Sequence, residues 1–174
     1  MLTTRLTRAS RLFHGLAVAS MVLLPALIFV GIILPGRLGI DIQGTSSLPN
    51  TSWPANIWAG LIVSFIPLVF SMLALNGMHH LFALYRLGDP LAPQAGPLIK
   101  SIGKNVLIAS ILGVVLYPAV TGLISLSNPV GERRISVSIS INDIGFILVA
   151  GLLLMIGWSM SEATKVAAEN REFI

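Results

Sequence analysis

Four apolar stretches constrain this chain more than anything else in it. A bilayer core of about 30 Å takes roughly 20 apolar residues as a helix, and within it every backbone polar group has to be paired inside the protein. The stretches run from Leu12 to Leu34, ending at Pro35-Gly36; from about Ala55 to Met78, opened by Trp53-Pro54; from about Asn105 to Ser127, after Lys104; and from Ile144 to Ser161. Trp53-Pro54 suits a helix start at a membrane surface, with an interfacial aromatic and a proline in the first-turn position. The expectation is an all-α membrane protein, a single domain over residues 1–174 built as a four-transmembrane-helix bundle. Composition agrees: 55% of residues are apolar and 10% charged, too little charge to solvate a globular surface of ordinary make-up.

The N-terminal arginines Arg5, Arg8 and Arg11 precede an apolar run in the order of a secretory signal. That run exceeds a signal h-region and is not followed by a small-residue cleavage site, so it reads as an uncleaved first span. Lys and Arg then set the orientation. With the N-terminus in the cytoplasm, Arg5, Arg8, Arg11, Arg86, Lys100, Lys104, Lys165 and Arg171 fall inside, against Arg37, Arg133 and Arg134 outside. The bias places both termini in the cytoplasm of a bacterial inner membrane. The net charge of +4 is scattered around apolar runs rather than gathered into a stripe, which speaks for anionic lipid and against direct nucleic-acid contact.

Leu38-Gly-Ile-Asp-Ile-Gln43 and Ile135-Ser-Val-Ser-Ile-Ser-Ile-Asn142 alternate apolar and polar residues in the two outer loops. Period two is the pattern of a strand with one apolar face, and a lone exposed strand invites aggregation. Pairing the two predicts a small extracytoplasmic β-ribbon over the helix ends. On the inner side, His80 to Arg86 extends the second span by about two turns before Gly88-Asp-Pro90 breaks it.

Catalytic, metal and cofactor sites find no support in the sequence. Cysteine is absent, which removes thiolate chemistry and disulfides, and no metalloprotease or phosphate-loop motif occurs. All Asp, Glu, Lys and Arg fall at or beyond span ends, against coupled ion transport; Asp143 reads as the N-cap of the fourth helix. His14, His79 and His80 lie near the inner interface, where a bis-histidine haem is geometrically conceivable but interfacial histidines are the plainer reading. Ser64, Ser71, Asn76, Asn105, Ser110 and Thr121 are expected to bond backbone or a neighbouring helix. Pro25, Pro67 and Pro118 interrupt spans one to three, and kinked helices can open a cavity for an apolar ligand. The small pairs Ala109 with Gly113 and Gly157 with Ser161 allow close helix approach, within the chain or in a homo-oligomer.

The fourth span continues without Gly or Pro into a charged tail, Glu162 to Ile174. At 3.6 residues per turn it puts Ala163, Val166, Ala167 and Asn170 on one side and Glu162, Lys165, Glu169 and Glu172 on the other, with Phe173 near the end; Lys165 and Glu169 stand one turn apart. The tail and the inner loop, with Tyr85, Arg86, Lys165, Glu169, Asn170 and Phe173, form a candidate surface for a cytosolic protein partner.

Leu81-Phe-Ala-Leu-Tyr-Arg-Leu-Gly-Asp-Pro-Leu91, Lys100-Ser-Ile-Gly103, the alternating Ile135 to Ile141 run and the ending from Met160 to Ile174 resemble a bacterial four-span inner-membrane family catalogued as domain of unknown function 2975. The resemblance covers roughly the C-terminal three-fifths of the chain. It implies four spans and, often, a small helix-turn-helix regulator encoded nearby; it implies no catalytic residues. The function expected is a non-enzymatic sensor or sequestering partner of such a regulator. The alternatives are a binding protein or carrier for an apolar molecule such as a lipid or quinone, and a structural subunit of a larger membrane complex.

Overall fold

The computed structural model describes residues 2–33, 54–87 and 92–172. It is all-helical: α1 (Leu2–Ile33), α2 (Ala55–Arg86), α3 (Ala95–Ser125) and α4 (Ile141–Glu172). All four are long and apolar enough to cross a membrane, and this is a multi-pass membrane protein. Each has 31 or 32 residues, or about 46 to 48 Å at 1.5 Å per residue, so every helix outruns the hydrocarbon. Large apolar side chains such as Val22, Ile62, Val69, Leu148 and Leu152 face outward, as lipid solvation demands and water does not tolerate.

The helices start earlier than the apolar stretches that announce them, α1 at Leu2, α3 at Ala95 and α4 at Ile141. The expected extension of α2 past Met78 is present, through Arg86. The third helix starts at Ala95 rather than near Asn105, because Pro97 falls in its first turn, where the missing N–H costs nothing. Pro54 is the residue before α2, not inside it. Its carbonyl accepts the first bond of the helix, from Ile57 N at 3.0 Å.

Contacts run strictly in chain order. The first helix packs on α2, α2 on α3 and α3 on α4, and among the described residues no other pair of helices is in close backbone contact. The bundle is therefore open along the seam between α1 and α4. Its tightest apolar cluster, Leu81, Ala95, Ile99 and Ile102, lies where α2, α3 and α4 meet, toward the end of the molecule that carries Arg86. At the opposite end Asn56 ties α2 to α3, its Nδ2 donating to Leu123 O at 3.0 Å and to Ser127 Oγ at 2.6 Å.

Helix α3 meets α4 through glycine. A Cβ on Gly96 would lie 2.8 Å from Ser161 N, one on Gly103 would lie 2.7 Å from Leu154 N, and one on Gly157 would strike the Lys100 backbone. The expected role of Gly157 and Ser161 in close approach is thus met. The other small pair behaves differently: Gly113 has nothing within 4 Å of its Cβ position, so Ala109 and Gly113 line open space instead of a helix contact.

No strand forms among the described residues, and the expected β-ribbon is not supported. The Leu38–Gln43 half lies outside the described residues. The other half is irregular from Glu132 to Ser140 and lies along α3, where Ser136 N donates to Thr121 Oγ1 at 3.1 Å and Ile135 packs near Gly122. Helix α3 thus offers Thr121 as the polar partner that a second strand was expected to supply. The turn before it relies on Gly131, whose φ of 105° favours glycine.

Candidate functional site

Of the residues proposed for partner docking, Tyr85, Arg86, Lys165 and Glu169 are described in full, in the C-terminal turns of α2 and α4. Tyr85 is half-buried and packs against the Leu81, Ala95, Ile99 and Ile102 cluster, so its ring stabilises the α2–α3 junction. Arg86, next to it, is exposed. Lys165 and Glu169 are exposed on α4; Lys165 pairs with Glu162 at 3.6 Å, in place of the expected Glu169 contact, because the preceding turn brings that carboxylate closer. So exposed a pair contributes little to stability. Asn170 belongs to α4, its side chain lying outside the described residues, as does Phe173.

The α4 rod is continuous from Ile141 to Glu172. With Ser161 level with Gly96 at the start of α3, the eleven residues from Glu162 to Glu172 run about 16 Å past the start of α3. Beside their base, α2 and α3 leave a shallow depression of about 640 Å³, lined by His80, Leu84, Leu87, Pro93, Pro97 and Leu98 among others.

The histidines expected near this interface come together. The rings of His14 and His79 lie 4.3 Å apart, His79 and His80 lie 5.3 Å apart, and Phe13 stacks on Phe82 at 5.6 Å. Rings of His14 and His79 in contact leave no room for a porphyrin between them. They instead fasten α1 to α2, with His14 Nδ1 3.4 Å from the His79 carbonyl. Among the described residues no group of three or more His, Asp or Glu could hold a metal ion.

The polar residues inside the helices behave as expected: Ser64, Ser71, Ser110 and Thr121 donate to Leu61, Pro67, Val106 and Pro118 carbonyls of their own helices. Asp143 does not behave as expected. Ser140 is the N-cap of α4, and Asp143 is the third residue in. Asp143 Oδ2 accepts from Ser140 N at 2.7 Å and from Ser140 Oγ at 2.8 Å, while Asp143 N donates back to Ser140 Oγ at 3.2 Å. This is a capping box. Its signature, Ser140-Ile-Asn-Asp143 before an apolar run, was present in the sequence and would have placed the helix start.

Asp143 also sits deeper than its place in the sequence suggests. In the three α3–α4 pairs, Gly96 with Ser161, Lys100 with Gly157 and Gly103 with Leu154, the two residue numbers add to 257, which puts Asp143 level with Val114. Asn56 with Leu123 and Gly77 with Ile102 add to 179, putting Trp58 level with Thr121; Trp158 is level with Ile99. Both tryptophans are exposed, at 52% and 60%, as residues of a membrane interface are. Their levels are 22 residues apart, about 33 Å, close to the thickness of a bilayer core. Asp143, seven residues inward from the Trp58 level, is about 10 Å below it. Asp143 keeps its expected place at the end of its own span, the third residue of Ile141–Val166, but α4 starts below the end of α3 because the segment before it runs back along α3.

Asp143 and Phe146 of α4, with Leu24 of α1, rim a groove of about 370 Å³ whose floor is small and apolar, with Ala74 from α2 and Ala109 and Gly113 from α3. It occupies the open seam. Comparison with protein-family models, with curated proteins and with solved structures finds no match.

Proposed function

We propose that this is a non-enzymatic protein of the bacterial cytoplasmic membrane, with both chain ends in the cytosol, that senses a signal or sequesters a cytosolic protein. The partner class is a helix-turn-helix regulator, which is what the family resemblance implies. The observation that carries the reading is the unbroken α4 rod, which continues about 16 Å past the start of α3 with Glu162, Lys165, Val166 and Glu169 exposed on it. An amphipathic helix with an unoccupied face is a standard element for docking into a partner's groove. The exposed Arg86 and Leu87, the latter 84% exposed, stand near its base. Deleting Glu162 to Ile174 and assaying capture of the regulator encoded beside this chain tests the reading. Loss of capture is expected; unchanged capture overturns the role of the tail.

The groove between α1 and α4 favours a second reading, a binding protein for an apolar small molecule. Its volume of about 370 Å³ falls within the range of small-molecule sites.

A further inference from the structure

The groove contains one feature that an apolar ligand does not explain. With Trp58 taken as the outer interface, Asp143 lies about 10 Å inward, where a carboxylate is costly unless it is protonated, hydrated or paired with a cation. Among the described residues no Lys, Arg or His lies within ion-pairing distance of Asp143. One of its oxygens, Oδ2, is held by Ser140; among the described residues nothing donates to Oδ1. The carboxylate is thus fixed in orientation by the helix cap, at the rim of a mostly apolar groove whose other polar residues, Ser71 and Ser110, bond carbonyls of their own helices.

Ser136, Ser138, Ser140 and Asn142 supply hydroxyl and amide groups along the chain between the Thr121 level and Asp143. A polar head can follow those groups inward while its chain lies along Ala74, Ala109 and Gly113.

We propose that the α1–α4 groove binds a cationic amphiphile, an alkyl chain carrying an ammonium head, with the head against Asp143 and the chain on the floor. The proposal rests on the second reading above and adds the charge of the ligand to it. The ammonium can come from an aminolipid of the bilayer or from a free amphiphilic amine; the chemistry at Asp143 is the same.

The test uses the full chain in a nonionic detergent, with retained adducts measured by native mass spectrometry for dodecylamine, dodecanol and phosphatidylethanolamine. Wild type is expected to bind dodecylamine about tenfold more tightly than dodecanol. Asp143→Asn, which keeps an oxygen for the Ser140 bonds, is expected to erase that preference while dodecanol binding stays unchanged. Gly113→Leu projects a side chain into open space, so it is expected to fold and to lose both. Phosphatidylethanolamine bound with the same Asp143 dependence identifies the lipid as a source; dodecylamine alone bound in that way identifies a free amine. Equal affinity for dodecylamine and dodecanol in wild type, or a preference that survives in Asp143→Asn, overturns the cationic head and leaves the apolar groove standing. Absence of binding by all three overturns both.

Discussion

Gly157 of α4 rests directly on the backbone of Lys100 of α3: a Cβ there would come within 2.7 Å of Lys100 Cα. Helix separation at this point is set by the absence of a side chain, and the obstructing atoms are backbone, which cannot rotate away. Gly157→Ala and Gly103→Ala are expected to lower stability by about 1–3 kcal/mol each. Gly113→Ala is expected to be neutral or to gain up to about 1 kcal/mol from helix propensity. Denaturation of the purified protein in mixed micelles checks the order; equal effects at all three glycines would refute the packing described.

Asn56 joins the start of α2 to the end of α3 through two hydrogen bonds. Asn56→Leu is expected to cost about 0.6–1.7 kcal/mol, the range for interhelical bonds in membranes. Combined with Ser127→Ala in a double-mutant cycle, it should give a coupling energy distinct from zero.

The capping box at Ser140 predicts a local effect. Ser140→Ala is expected to cost about 1 kcal/mol and to raise amide exchange at residues 141–144, while exchange at the Gly157 level stays as it was. Exchange spread uniformly over α4 would mean that the cap does not hold the helix start.

The first helix is attached through α2 alone. Phe82→Ala removes a ring stack worth about 0.5–1.5 kcal/mol beyond its burial and is expected to make α1 the first segment to exchange or to be cleaved, with α3 and α4 unaffected.

A reporter fused after Ile174 is expected to be active only in the cytosol, and one inserted at Gly131 only outside, as the Lys and Arg bias requires. The opposite pattern would place the α4 rod outside and remove it as a docking element for a cytosolic protein.

Four helices and their membrane class were legible in the sequence because apolar length is a one-dimensional property. Helix ends were less so. Lys100 and Lys104 suggested that the third span begins after them, yet long cationic side chains can reach the interface from within a helix, so charge marked the membrane and not the start of α3. The alternating Ile135 to Ile141 run was read as half of a ribbon because period two reports an extended backbone, not the identity of its partner; Thr121 is distant in sequence and carries no strand signal. The groove was invisible for a related reason. Ala109 and Gly113 have the spacing of a helix contact, and only the register between α3 and α4 shows that this contact is missing and that Asp143 lies beside the gap.

Because among the described residues each helix packs only on the one before it and the one after it, the helices can assemble in the order in which they are made. A nascent chain can dock each new helix on a surface that is already complete, and no late step has to thread or close a ring. Low contact order of this kind makes for fast assembly, and it predicts that a chain ending after Ser125 keeps α1, α2 and α3 arranged as in the whole molecule.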